Sequence, residues 1–321
     1  MSQVWTRISV FLGVMSRRLR FIPEGGALVE ATCRSLHSRL LFRPSPLMNE
    51  IIIGTLARAK QRHNKVRVCF FVCIGNHMHL LLWAEDAGEL AKFMGYFLSK
   101  LAREVGRLTG WKEKIFGRRY TSIVVSDEEG AQIERLRYGL AHGAKEDLVD
   151  RPRDWPGVHC VRALLEGEIL EGLWFDRTQE YLARRRGEKF EPLQYATREV
   201  LELDPLPCWE HLTAEQRRAR IAALVEDIES EVAARRKRTG VKPLGVAAVQ
   251  AQNPLQRPKK TKKLPAPAFH AASKAVRREL WDAYALFVAV YRTAAEKLRA
   301  GVRDVMFPRG SFPPALPFVS G

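Results

Sequence analysis

Two hydrophobic spacings alternate along the first half of the chain. Continuous or alternating apolar runs are typical of strands, and apolar residues recurring every three or four positions are typical of amphipathic helices. The pattern predicts strands at 27–33, 66–75, 77–83 and 116–125. It predicts helices at 50–60, 88–108 and 127–143, the first with Asn49 as its N-cap. This order of strand, helix, strands, helix, strand and helix indicates an α+β fold with an antiparallel sheet.

The longest apolar run is interrupted by Gly75-Asn76 and then by His77-Met78-His79. A Gly-Asn break fits either a turn between two strands or a kink within one strand. Side chains alternate along a strand, so His77 and His79 project from one face and Met78 from the other. Two adjacent imidazoles suit a divalent metal. The pair alone also fits two unrelated histidines near the end of a strand.

Tyr138 stands out on its predicted helix. Ile133, Leu136 and Leu140 form the apolar stripe, and at 100° per residue Tyr138 lies nearly opposite, in one row with His142. A tyrosine off the packing face is either exposed on the surface or directed into a cleft. A third histidine one turn away favours the cleft. The tyrosine and three histidines could form a metal site with an adjacent phenol nucleophile.

The composition limits the classes of partner that the protein is expected to bind. The formal net charge of +17 predicts a polyanionic partner, because Lys and Arg that neutralise phosphates release counterions. No apolar stretch is long enough to predict a membrane span, and no signal segment is evident. The five cysteines are scattered, with no paired CxxC motifs, which fits a reducing compartment. The sequence therefore predicts a nucleic-acid-binding protein of the cytoplasm that does not enter membranes.

The second half of the chain has a different character. We expect a helical, basic region at 166–250, a basic Pro-rich linker at 251–268, and a C-terminal helical segment with a Pro-rich tail at 269–321. These parts follow a predicted catalytic domain at 16–165. The basic linker and helices are expected to add affinity for DNA.

Three motifs together resemble the REP-associated tyrosine transposases, which are single-tyrosine members of the His-hydrophobe-His nuclease superfamily. The motifs are His77-Met78-His79 within its apolar strand, Phe116-Gly117-Arg118-Arg119-Tyr120, and Leu136-Arg137-Tyr138-Gly139-Leu140-Ala141-His142. The resemblance covers about residues 16–160. It implies a ferredoxin-like antiparallel sheet with helices on one face, and a site that depends on Mg²⁺ or Mn²⁺.

The resemblance also implies a role for each site residue. His77 and His79 would bind the metal, Tyr138 would be the nucleophile that cleaves single-stranded or hairpin DNA, and His142 would be a third ligand. Apart from the resemblance, positive charge alone suggests that the DNA strand would be held by four arginines, although each taken singly also fits a solvated surface charge: Arg118, Arg119, Arg135 and Arg137. The protein would act as a monomer or a homodimer.

One departure from the family concerns His142-Gly143, where the family usually has Asn-Pro. His142 can ligate a metal, so the ligand set would be changed rather than lost. Three histidines would also suit zinc. The alternative to a DNA transposase is therefore a catalytically inactive DNA- or RNA-binding regulator on the same fold.

Overall fold

The computed structural model describes residues 18–191, 193–258 and 266–315. The basic run at 259–263, which belongs to the predicted linker, and the last part of the predicted tail lie outside these ranges. The strands are β1 Ala27–Arg34, β2 Val66–Ile74, β3 His77–Ala84, β4 Thr121–Val125, β5 Leu170–Phe175, β6 Ala196–Leu201 and β7 Phe269–His270. The helices are α1 Pro46–Arg62, α2 Ala87–Thr109, α3 Glu129–Leu140, α4 Val161–Glu166, α5 Arg177–Arg185, α6 Ala214–Thr239, α7 Val246–Ala251 and α8 Lys274–Arg299.

The main sheet has the strand order β2-β3-β1-β4-β7. Its first four strands are antiparallel to their neighbours, and the two-residue β7 pairs with β4 in parallel. Two strand–helix–strand units, β1-α1-β2 and β3-α2-β4, build the four long strands, which is the ferredoxin-like arrangement. The predicted α+β fold is confirmed, and the sheet is mixed only at its β7 edge.

Helices cover both faces of this sheet, and here the structure differs from the prediction of helices on one face. Phe71 of β2 meets Phe97 of α2, with ring centroids 6.3 Å apart, while the neighbouring Phe70 lies beneath α3. Both phenylalanines are fully buried, because β2 is apolar on both faces and each face needs a cover. Gly139 lets α3 approach closely, since a Cβ there would lie 2.5 Å from the Phe70 ring.

The apolar run around Gly75-Asn76 forms two strands, β2 and β3, joined by a tight turn. Asn49 does not cap α1, which begins earlier: the cap is Ser45, whose side chain accepts from the Met48 backbone N–H. Asn49 instead donates to the carbonyl of Pro156. The strand predicted at 116–125 is confined to β4.

Residues 166–250 contain a two-stranded sheet, β5-β6, in addition to the helices predicted there. This two-stranded sheet, whose strands are connected through α5, packs on α1 at two glycines. A Cβ on Gly54 would lie 2.3 Å from the backbone of Leu173, and one on Gly172 would lie 2.2 Å from the Glu50 carbonyl oxygen. The sequence prediction missed the two-stranded sheet because half of the β6 residues are exposed and the strand carries no clear apolar alternation.

The two regions predicted to be helical, 166–250 and 269–321, each contain one long helix, α6 and α8 respectively. The aromatic side chain of Tyr284 on α8 packs against Phe269 of β7 and against Phe21. Within the described ranges, no helix combines the length and the apolar character needed to cross a membrane.

Candidate active site

Three histidines meet where β3 begins and α3 ends; together with Tyr138 we call them the histidine site. His77 and His79 lie on one face of β3, as the strand alternation predicted, and His142 follows the last turn of α3. One ligand atom from each ring can be chosen so that all three lie within 4.8 Å of one another. The His79 and His142 ring centroids are 4.3 Å apart.

Each ring is held through Nδ1 by a side-chain oxygen. The Nδ1 atom of His79 lies 2.8 Å from Glu30 Oε1, and that of His142 lies 2.9 Å from Glu146 Oε1. The Nδ1 atom of His77 lies 2.6 Å from Asn76 Oδ1. A histidine whose Nδ1–H donates to a carboxylate is fixed in orientation and presents Nε2, which is how metal-binding histidines are commonly supported.

The donor set fits a divalent metal. His142 is almost fully buried, and its Nε2 atom has no hydrogen-bond partner among the described residues. An unpaired polar atom in the interior is costly, and a metal ion would satisfy it. Three imidazole nitrogens favour zinc on ligand chemistry, while Mg²⁺ and Mn²⁺ prefer oxygen ligands.

Burial keeps these imidazoles neutral. Desolvation and the neighbouring imidazoles lower the pKa of His77 and of His142 well below the usual value. Desolvation also lowers the pKa of His79, although its hydrogen bond to Glu30 opposes this shift. The neutral ring is the form that binds a metal, so these residues need no deprotonation step near pH 7.

Tyr138 lies over the histidines on the open side of the site. Its side chain is 41% exposed, and its ring centroid is 5.0 Å from that of His142 and 5.7 Å from that of His79. The Nζ atom of Lys145 lies 3.2 Å from the centroid of the tyrosine ring and donates to the Tyr138 carbonyl oxygen. Partial burial, with Glu30 nearby, raises the pKa of the Tyr138 phenol, while burial lowers the pKa of Lys145 to about 8.

The four predicted DNA-binding arginines separate into two pairs. Arg135 forms a buried ion pair with Glu30, and Arg137 pairs with Glu231 of α6. Arg118 and Arg119 lie in the loop before β4, where Arg119 donates to the carbonyl of Arg18. The structure thus brings Arg135 beside the histidines but engages it with a carboxylate.

Sequence reasoning missed Glu30, Glu146 and Lys145. A lone charged residue within the apolar run of β1 was a usable signal for Glu30, because such a carboxylate needs a partner. Glu146 lies one helical turn beyond His142, which was a weaker signal. Asn76 was noticed only as a turn residue.

Comparisons with known proteins are limited in extent. No family model matches the chain. No curated protein matches it either. Among solved structures, a REP-associated tyrosine transposase bound to a REP hairpin is 17% identical, with a TM-score of 0.36, and the match covers 48% of this chain and 87% of that one. A protein described as a transposase candidate from Deinococcus radiodurans R1 is 12% identical, with a TM-score of 0.27, and the match covers 38% and 95%.

Proposed function

We propose that the protein is a metal-dependent transposase or related endonuclease that nicks and rejoins single-stranded or hairpin DNA through Tyr138. The observation that carries this proposal is the packing of an accessible phenol against two buried, carboxylate-held histidines. This position leaves the phenol accessible and supports a role in phosphoryl chemistry rather than in core packing. The REP-associated tyrosine transposases, which the sequence motifs resemble, support the same assignment, as does the +17 net charge.

The proposed reaction exchanges one phosphate ester for another. The Tyr138 oxygen forms a bond to phosphorus and loses its proton, while the bond from phosphorus to the 3′ oxygen breaks and that oxygen leaves as a hydroxyl after taking up a proton. The resulting phosphotyrosine keeps the bond energy for rejoining. A divalent metal, when bound, would polarise the phosphate and stabilise the charge that develops on the leaving oxygen.

The residues of this chain would prepare the nucleophile. A free tyrosine has a pKa near 10, and burial raises the pKa of Tyr138 further. The positive charge of Lys145 over the ring favours the phenolate electrostatically. Glu30 and Glu146 fix the orientation of His79 and His142, the rings that would hold a metal beside the phenol.

The proposal is tested by incubating the full chain with a labelled DNA hairpin and Mg²⁺, Mn²⁺ or Zn²⁺, then separating products under denaturing conditions. A covalent protein–DNA adduct is expected with at least one metal, and it should disappear with Tyr138→Phe or with chelator. Tyr181→Phe, which changes an exposed tyrosine of α5, is the matched control and should keep the adduct.

The same experiment decides for or against the alternative function. Binding of the hairpin with no adduct under any of the metals would contradict the enzyme. It would identify the protein as a non-cleaving DNA- or RNA-binding regulator, the outcome that His142-Gly143 in place of Asn-Pro allows.

A further inference from the structure

A cleft of about 620 Å³ opens along the first residues of β4. Its walls are the segments 18–21, 118–122 and 266–269, together with Tyr284 of α8. A cavity of this size is within the range of small-molecule sites. We call it the arginine cleft, after four lining residues: Arg18, Arg20, Arg118 and Arg119.

The arginine cleft and the histidine site lie on opposite faces of the sheet but at the same end. Thr121 pairs with Thr32, and Thr32 pairs with His79, so these three residues share the face of the histidines. Tyr120 and Ser122 flank Thr121 in the chain and therefore point to the other face, into the arginine cleft. Two strand spacings separate Thr121 from His79, a distance of about 10 Å.

The charge of the arginine cleft is unbalanced. Its lining includes four arginines and no aspartate or glutamate among the described residues. Arg18 donates to the carbonyl of Ala266, and Arg119 donates to the carbonyl of Arg18. Like charges brought together repel, and an external anion would relieve that repulsion.

Two buried polar atoms of this cleft lack partners. Tyr120 is only 6% exposed, and its hydroxyl has no hydrogen bond within the described part of the chain. The Nε atom of Arg20 is also buried and has no hydrogen bond among the described residues. The guanidinium carbon of Arg20 lies 4.9 Å from the centroid of the Tyr120 ring. Buried donors left unpaired are uncommon and costly. Both groups donate hydrogen bonds, so the missing partner is an acceptor.

We propose that the arginine cleft is a second binding site, which takes phosphate groups of a single nucleic-acid strand, with Tyr120 and Arg20 as donors. Guanidinium groups match the geometry of phosphate oxygens, and a tyrosine hydroxyl adds one directional hydrogen bond. A strand leaving Tyr138 would pass the exposed start of β4 and the Arg118-Arg119 loop to reach the cleft. The identity of that strand as the cleaved DNA rests on the proposed function, whereas the site itself does not.

The test is binding of fluorescein-labelled dT12 to the full chain in EDTA, followed by fluorescence anisotropy over a range of salt concentrations. With Arg118→Gln/Arg119→Gln, the affinity should fall about tenfold or more, and the slope of log affinity against log salt should flatten by about 1.4. The matched control is Arg185→Gln/Lys189→Gln, which removes two exposed positive charges outside the cleft and should leave both quantities near the wild-type values.

Tyr120→Phe separates a binding role from a structural one. If the hydroxyl binds phosphate, the affinity for dT12 should fall about tenfold while the unfolding midpoint stays unchanged or rises, because no native hydrogen bond is lost. The proposal is overturned if Tyr120→Phe and Arg118→Gln/Arg119→Gln both bind dT12 as the control does.

Failure of this inference is distinguishable from failure of the proposed function. Binding of dT12 is measured in EDTA, where no metal is available for cleavage, so it reports on the arginine cleft independently of adduct formation. Loss of binding in the cleft variants, together with no adduct from the wild type under any metal, would leave the arginine cleft standing and remove the nuclease.

Discussion

Arginines at the histidine site and in the arginine cleft carry the same charge in different surroundings. Arg135 lies in a network with Glu30 and His79 that satisfies both the carboxylate and the guanidinium. The described lining of the arginine cleft, which includes Arg118, contains no carboxylate. The comparison teaches that a basic residue in a strongly basic protein can serve the internal architecture, and that the acidic groups around an arginine must be known before it is assigned to an external partner.

The largest expected contrast is in stability. Arg135→Gln leaves Glu30 buried without its main counter-charge, which should lower the free energy of unfolding by about 3 kcal/mol, toward the low end for breaking a buried pair. The Arg135 side chain is 15% exposed, so some solvent screening is included in that figure. Arg118 is exposed, so Arg118→Gln should change the free energy of unfolding by less than about 0.5 kcal/mol. Urea denaturation measures both, and equal effects would contradict the distinction.

A fall in pH should also affect the two regions differently: it should lower stability through a buried histidine near the histidine site but leave binding to the arginine cleft almost unchanged. Burial lowers the pKa of His159 from 6.5 to about 4, and its ring bonds the carbonyl of Leu140 at the end of α3. Between these two values the unfolded chain binds more protons than the folded chain, so stability falls as the pH falls below 6.5. From pH 7 to pH 5 this residue alone should lower the free energy of unfolding by about 2 kcal/mol.

Arginine does not titrate in this range, so binding of dT12 to the cleft in EDTA should change little over the same interval. Urea denaturation and anisotropy at the two pH values check both statements. A free energy of unfolding that does not change between pH 7 and pH 5 would contradict the statement that burial keeps these histidines neutral.

The smallest expected effect concerns the carboxylate that holds His142. Glu146→Gln keeps an oxygen near Nδ1 but removes its charge, and we expect the affinity for Mn²⁺ or Zn²⁺ to fall about tenfold, as for other groups that support a metal ligand. Glu134→Gln is the matched control, because Glu134 pairs with His270 at 3.2 Å outside the three-histidine cluster. Isothermal titration calorimetry measures the affinities, and a similar loss in both variants would argue against a specific role for Glu146.

Periodicity was sufficient to predict the face on which each site residue lies. The two-residue period of β3 placed His77 with His79, and the phase of α3 placed Tyr138 with His142. Each of these periods is a property of a single strand or helix, so it can be read directly from the sequence. The ferredoxin-like strand order followed from the resemblance and agrees with the structure.

What the sequence could not supply were partners across elements. Glu30 reaches His79 only because β1 pairs with β3 in one register, and strand alternation determines the face of a residue but not its neighbour. For the same reason, the sequence shows that Arg135 is charged but not that Arg135 pairs with Glu30. Asn49 was read as a cap from local spacing, although Ser45, before Pro46, begins the helix.

The contact of Gly54 with the β5-β6 sheet has a consequence for evolution and for protein engineering. Each backbone occupies the space where the other position would place a methyl group. The two glycines, distant along the chain, should therefore vary together among relatives, and a relative that has lost the β5-β6 sheet should be free to replace Gly54. A shortened version ending near residue 165 would uncover this surface of α1, so the smallest folded unit should extend through β6.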